Sequence, residues 1–98
     1  MEREEQLKRV VSTYGNTAQV DMAIEEMSEL TKALLKYRRA VNYGGERKLR
    51  ADDVAEEMAD VRIMLAQLEI IFDNKAQVND YIEYKINRQM QRIEEAKR

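Results

Sequence analysis

The chain has no cysteine, no histidine and no proline, and it contains only three glycines among 98 residues. The absence of cysteine excludes a disulfide scaffold and a thiolate metal site. The absence of histidine removes the usual general base and zinc ligand, and it disfavours a di-iron bundle built on Glu-x-x-His. Because proline and glycine are the residues that interrupt helices, their scarcity favours a helical protein.

Long apolar runs and a strong positive charge are also missing. No stretch approaches the roughly eighteen apolar residues of a membrane span, and the N-terminus has no charged-then-apolar leader. The formal net charge is −2, so the chain has no overall positive field for nucleic acid. We therefore expect a cytoplasmic protein with neither a membrane nor a nucleic-acid partner.

Apolar residues recur every three or four positions, which predicts about four helices, because that spacing places side chains on one helical face. The predicted breaks between them are Gly15-Asn16, Gly44-Gly45 followed by a basic segment at 47–50, and Asp73-Asn74. The third helix is expected to begin at Asp52 or Asp53, with acids at its positive end. The sequence predicts a single domain, 1–98, that folds as an all-α antiparallel bundle with short loops.

The second and third predicted helices carry the longest apolar seams. The seam of the second comprises Val20, Ala23, Ile24, Met27, Leu30, Leu34, Tyr37 and Val41. The seam of the third comprises Val54, Met58, Val61, Leu65, Leu68 and Phe72. Further apolar residues extend almost around the third helix, so we expect it to be central or to lie at a subunit interface.

Two acidic clusters interrupt these packing faces. The clusters are Glu25-Glu26 with Glu29, and Glu56-Glu57 with Asp60. Acids three residues apart share one face of a helix. At about 100° per residue, Glu26 falls beside the seam of its helix and Glu57 falls inside the apolar arc of the other. Such positions are unusual because burying an uncompensated carboxylate is costly.

Three interpretations of the clusters remain open on this basis. They could be solvated charged faces, which is the usual meaning of a charge run. They could form salt bridges between helices or with Lys32 and Lys36. If they face each other, several carboxylates crowd one cleft, and either protons or cations must offset the repulsion. Acid oxygens without histidine or cysteine select Mg²⁺, Mn²⁺ or Ca²⁺.

The paired pattern Glu26-x-x-Glu29 and Glu57-x-x-Asp60, with 27 residues between the pairs, resembles the signature of the MazG-like nucleoside triphosphate pyrophosphohydrolases. The resemblance extends from about Tyr14 to Arg92 and is greatest to the short single-domain members of phages and bacteria. It implies Mg²⁺-dependent hydrolysis between the α and β phosphates, which gives a nucleoside monophosphate and pyrophosphate. The implied catalytic metal ligands are Glu26, Glu29, Glu57 and Asp60. Mn²⁺ could replace Mg²⁺, and a homodimer or homotetramer is expected.

The last predicted helix adds candidate substrate ligands. By resemblance to the family, phosphate contacts are assigned to Lys85, Arg88 and Arg92, and a base or sugar contact to Asn87. Gln19 lies two turns before Glu26 on nearly the same face, where it could read the base or be a solvated polar residue. The basic residues could instead pair with nearby acids, which are Glu83, Glu94 and Glu95.

The expected function is therefore that of an enzyme acting on nucleoside triphosphates. One alternative is a non-catalytic helical assembly module, which the seams and alternating charges also fit. Another is a nucleotide-binding regulator with the same fold. A related enzyme could instead cleave dUTP or phosphoribosyl-ATP. Turnover and the identity of the product distinguish these classes.

Overall fold

The computed structural model describes residues 1–97, which form four helices joined by short connections. The helices are α1 (Arg3–Tyr14), α2 (Asn16–Tyr43), α3 (Arg47–Phe72) and α4 (Lys75–Ala96). No strand occurs in this part of the chain, which confirms the predicted all-α class. Within the same range, none of the helices combines the length and the apolar character that crossing a membrane requires.

The ends of α1 and α3 match predicted breaks. α1 stops at Gly15, whose φ of 95° disfavours residues that carry a side chain. The Gly15 N–H donates to the carbonyl oxygen of Val11 at 2.8 Å and closes the last turn. α3 stops at Asp73, which has the left-handed conformation that Asp tolerates better than most residues.

The start of α3 differs from the prediction. The helix begins at Arg47 rather than at Asp52 or Asp53, so the basic segment 47–50 is its first turn. Arginine, lysine and leucine have high helix propensity, which outweighs the unfavourable positive charge at the positive end of the helix dipole. The Arg50 guanidinium also lies 3.3 Å from the carboxylate of Asp53, and a pair at this spacing stabilises the first turn.

α2 and α3 run antiparallel, because only residues 44–46 connect them and they contact each other extensively. The buried residues of α2 are Gln19, Ala23, Ala33 and Ala40. Those of α3 are Met64 and Gln67. Small side chains such as alanine shorten the distance between two helix axes. The packed stripe of α2 is therefore the one that also carries Glu26, beside the predicted seam.

The large apolar residues of the two predicted seams lie mostly outside this contact. Ile24 is 64% exposed, Leu34 is 45% exposed and Phe72 is 60% exposed. At about 100° per residue, both seams turn to the same side of the antiparallel pair, where they form one apolar surface. The prediction that these seams are the packing faces of α2 and α3 is therefore not confirmed for their large apolar residues.

α4 stands apart from the other three helices. α1 packs on α2 and α3 and buries Val11, whereas no residue of α4 is buried and α4 makes at most a marginal contact with another helix. The Cα radius of gyration is 17.4 Å, against about 12.6 Å for a compact domain of this length. Within residues 1–97, the bundle is therefore packed for three helices, and the fourth projects from it.

Candidate metal centre

Three carboxylates meet between α2 and α3. Glu26 projects from α2, and Glu57 and Asp60 project from α3, where their spacing of three residues places them on one face. All three are half-buried, and one oxygen of each lies within 4.8 Å of an oxygen of the others. The sequence-predicted stripes therefore do face each other, and they bring three of the four predicted metal ligands together.

Glu57 is the carboxylate whose environment is least satisfied. Its Oε2 atom is shielded from solvent and has no hydrogen-bond partner among residues 1–97. A shielded carboxylate oxygen without a donor loses hydration and gains nothing in return, so this arrangement is costly unless a proton or a cation occupies the position.

The pKa values of two of the carboxyl groups are raised above their usual range. The pKa of Glu26 is raised by partial desolvation first, and then by the negative charges of Asp60 and Glu57. The pKa of Glu57 is raised by the same desolvation, and then by the charges of Asp60 and Glu29. Crowding therefore favours binding of protons or other cations at this point of the fold.

Glu29 lies beside the cluster rather than in it. Its carboxylate is 3.3 Å from the ammonium of Lys32, one turn further along α2. Its charge nevertheless contributes to the raised pKa values of Glu26 and Glu57, which means that it is close to both. Glu29 can join the other three if its side chain rotates away from Lys32, a pair that is exposed and therefore weak.

Salt bridges between helices do not compensate the cluster. Each ion pair found among residues 1–97 joins two side chains three or four residues apart on one helix. In that part of the chain, no lysine or arginine lies within ion-pair distance of Glu26, Glu57 or Asp60. The interpretation of the acids as inter-helix salt bridges is thus not supported by the structure.

The donor set fits a hard divalent cation. It consists of carboxylate oxygens alone, which Mg²⁺, Mn²⁺ and Ca²⁺ prefer. Two oxygens bound to the same Mg²⁺ at about 2.1 Å lie at most about 4.2 Å apart. Oxygens in neighbouring positions of the octahedron lie about 3.0 Å apart, so the oxygens of Glu26, Glu57 and Asp60, within 4.8 Å of one another, would have to move closer together around one Mg²⁺.

Two buried glutamines lie on the same helical faces as the acids. Gln19 is 7% exposed, so the interpretation of this residue as a solvated polar group was wrong. Gln67 is 3% exposed, and its Oε1 atom has no hydrogen-bond partner. Sequence reasoning did not single out Gln67. The available signal was a polar residue interrupting the apolar stretch between Leu65 and Leu68.

The predicted substrate ligands of α4 lie on the projecting helix. Arg88 is half-buried, with its guanidinium 5.7 Å from the centre of the Tyr84 ring, and its Nε atom has no partner. Lys85, Asn87 and Arg92 are exposed. Because α4 packs so little against α2 and α3, one protomer does not bring these four residues to the carboxylates.

The alternative that the basic residues of α4 pair with its acids is also not borne out within residues 1–97. Glu94 is the only one of those acids that forms an ion pair there, and its partner is Lys97, 3.5 Å away. The cationic groups of Lys85, Arg88 and Arg92 are in no ion pair in the described part of the chain.

The chain matches no model of a known protein family, no curated protein and no solved structure. What the candidate centre can do therefore follows from its own carboxylates and their surroundings.

Proposed function

We propose that this protein is a nucleoside triphosphate pyrophosphohydrolase that depends on Mg²⁺. The observation that supports the proposal most is the meeting of Glu26, Glu57 and Asp60 within 4.8 Å, with no basic side chain among residues 1–97 in an ion pair with them. Four acids on two facing helices, Glu29 included, repel a triphosphate unless cations lie between them. The site therefore fits a substrate that arrives together with divalent cations.

The chain's own groups have distinct tasks in this proposal. Glu26, Glu57 and Asp60 would hold the cation, and Glu29 would join them after release from Lys32. A divalent cation held by these residues would offset phosphate charge and would lower the pKa of a coordinated water. An acid of the first cluster, or Glu25 beside it, would orient the attacking water and accept its proton, as a general base requires. This accounts for hydrolysis by a protein that lacks histidine.

The proposal includes a homodimer or homotetramer. The accessible surface is 8160 Å², whereas a compact monomer of 11.6 kDa exposes about 5,800 Å². The excess exceeds the roughly 800 Å² per partner that a stable interface buries. A second copy would cover the exposed seams of α2 and α3. It could also supply Lys85, Asn87, Arg88 and Arg92 to a triphosphate held by its neighbour.

A non-catalytic helical assembly module is the second candidate. The exposed seams and the unpacked α4 favour association, with or without chemistry. This candidate does not explain, however, why the acids meet between α2 and α3. It also does not explain why the shielded Glu57 Oε2 atom has no hydrogen-bond partner among residues 1–97. A nucleotide-binding regulator would use the acids for binding but would not turn the nucleotide over.

The test is a panel of ribo- and deoxyribonucleoside triphosphates incubated with the assembled protein, once with Mg²⁺ and once with EDTA. We expect pyrophosphate, and not orthophosphate, to be released from at least one nucleotide in the presence of Mg²⁺. Asp60→Asn should abolish this release. Asp52→Asn removes an exposed acid from the same helix and is the matched control, which should retain the activity.

The outcomes separate the candidates. Nucleotide binding without any product would favour the regulator. No binding and no product, with protein that is folded and assembled, would favour the assembly module. Orthophosphate as the product would contradict cleavage between the α and β phosphates.

A further inference from the structure

The connection between α2 and α3 carries a strong positive charge. Residues 36–50 contain six basic side chains and a single acid, Glu46, in a chain whose net charge is −2. The basic residues are Lys36, Arg38, Arg39, Arg47, Lys48 and Arg50. The hairpin is thus acidic in its middle and basic at its turn, and the basic end has no part in the proposed hydrolysis.

An open cavity of about 470 Å³ lies at this turn. Lys36 and Arg39 line it from α2, and Arg50 lines it from α3. Glu46 is its one acid, so the lining has a net positive charge. Lys36 and Arg39 are in no ion pair among residues 1–97, whereas Arg50 shares its charge with Asp53 at 3.3 Å. Two cations of the cavity are therefore available for a ligand.

The floor of the cavity is glycine backbone. Gly44 and Gly45 have φ values of 85° and 139°, conformations that side chains disfavour. In contrast to Gly15, Gly44 donates its N–H to no backbone carbonyl in the described chain. The turn thus offers exposed backbone next to Lys36 and Arg39, without side chains that would fill the space.

We propose that this cavity binds a small molecule that carries two or more adjacent phosphate groups. Arginine presents a planar fork that matches phosphate oxygens, and lysine adds a compact positive charge. Lys36 and Arg39 can together neutralise more than one phosphate charge, and the volume exceeds the needs of a single phosphate ion. Inorganic pyrophosphate and the polyphosphate chain of a nucleotide share this chemistry.

The cavity is separate from the acidic cluster. Lys36, the lining residue of α2 nearest to the acids, is seven residues beyond Glu29, which corresponds to about 10 Å along the helix axis. A single phosphate group is much smaller than this separation, so it cannot occupy both places in the same protomer. The inference goes beyond the proposed hydrolysis and holds whether or not the acids are catalytic.

Isothermal titration calorimetry of the full chain tests the inference. Inorganic pyrophosphate, a nucleoside triphosphate and a single-stranded oligonucleotide are titrated separately in EDTA at about 50 mM salt, where surface charges are little screened. Because EDTA removes divalent cations, binding at the acidic cluster does not contribute. We expect pyrophosphate to bind, and Lys36→Gln with Arg39→Gln to weaken this binding at least about tenfold.

The double variant Arg38→Gln with Lys48→Gln is the matched control, because it removes the same charge outside the cavity. It should weaken pyrophosphate binding by no more than about threefold. All four side chains are exposed, so both variants should keep the wild-type circular dichroism and melting temperature. Arg39→Lys keeps the charge but removes the fork, and it should give an intermediate affinity.

A further outcome is that the nucleotide binds and pyrophosphate does not. If nucleotide binding depends on Lys36 and Arg39 in the same way, this result would also support the inference, and it would mean that the nucleoside contacts the protein as well. Equal loss in the two double variants would overturn it, since that result reflects general charge rather than a site. Binding of the oligonucleotide alone, or of none of the three ligands, would overturn it as well.

Discussion

The packed face of the α2–α3 pair and the free face of α4 have opposite chemistry. The former encloses carboxylates and two glutamines among alanines, and the latter presents Ile82, Ile86 and Met90, each about half exposed. Burial of apolar surface stabilises a fold by about 25 cal/mol per Å², whereas burial of charge destabilises it. Stability alone would place these two sets of residues the other way round.

The comparison assigns different tasks to the two regions. A monomer with half-buried acids between its helices and half-exposed isoleucines on α4 is less stable than one with the opposite arrangement. Cation binding at the acids would increase the stability of the folded protein, and so would contact between the isoleucines and a second copy. We infer that the α2–α3 face is arranged for ligand binding and that α4 is arranged for association.

The largest expected effect concerns the carboxylates that meet between α2 and α3. Glu57→Gln removes the carboxylate whose oxygen has no partner, and it should lower the rate of pyrophosphate release by at least about a hundredfold. The same substitution should remove the rise in melting temperature that we expect Mg²⁺ to give the wild type. Coupled pyrophosphate assays and thermal melts measure the two effects.

Glu56→Gln is the control for this prediction. It removes the same charge from the next residue of α3, which is exposed. We expect near-normal turnover and a normal response to Mg²⁺, because exposed acids interact weakly with their surroundings. If both substitutions had the same effect, general charge and not a built site would explain the acids.

The second-largest expected effect concerns the apolar face of α4. Ile86→Asp places a charge in the middle of the apolar face of α4 and should dissociate the oligomer, since each buried isoleucine contributes about 2 kcal/mol that a charge replaces with a penalty. Sedimentation velocity should show a smaller species. Pyrophosphate release should fall too, because the basic residues of α4 would no longer reach a neighbouring site.

Gln91→Asp tests the opposite face of α4 with the same new charge. At about 100° per residue, Gln91 points away from Ile86, so the oligomer should remain intact. An Ile86→Asp protein with the wild-type sedimentation coefficient would show that α4 is not an association helix and would remove the contrast with α2–α3.

The helical periodicity of the sequence predicted where the acids of the candidate centre lie relative to the apolar seams. It placed Glu26 beside one seam and Glu57 inside the other apolar arc, and these stripes are the ones that meet. Spacing along a helix fixes which residues share a face, and short loops fix that neighbouring helices are antiparallel. Those two facts predicted which acids share a helical face, whereas the meeting of Glu26, Glu57 and Asp60 was one of three interpretations that the sequence left open.

Other features depend on choices that spacing does not determine. Each of α2 and α3 has two faces able to pack, and periodicity does not say which face meets which partner. The position of Glu29 depends on its side-chain rotamer, which in this structure places its carboxylate 3.3 Å from the Lys32 ammonium. Gln67 was overlooked because a polar residue on a helix is usually solvated. The start of α3 at Arg47 reflects helix propensity prevailing over the dipole.

The smallest expected effect is a dependence of stability on pH. The pKa values of Glu26 and Glu57 are raised in the folded protein above their ordinary value of 4.5, so in the window just above 4.5 the folded state binds more protons than the unfolded state. Their contribution to stability is therefore unfavourable at neutral pH, and it becomes less so as the pH falls through the raised pKa values. Without divalent cations, the melting temperature of the wild type should rise relative to that of Glu57→Gln between neutral pH and about 5.

The difference between the two proteins is the quantity to follow, because exposed acids in ion pairs such as Glu29–Lys32 act in the opposite direction and cancel in the comparison. Glu56→Gln should deviate from the wild type less than Glu57→Gln does, because the charge of Glu56 contributes less to the raised pKa of Glu57 than desolvation, Asp60 and Glu29 do. Saturating Mg²⁺ should flatten the difference, since a bound cation replaces the proton as the compensating charge. A wild type and a Glu57→Gln protein with parallel melting profiles in EDTA would mean that the acids do not crowd one another, and the α2–α3 face would then lose its contrast with α4.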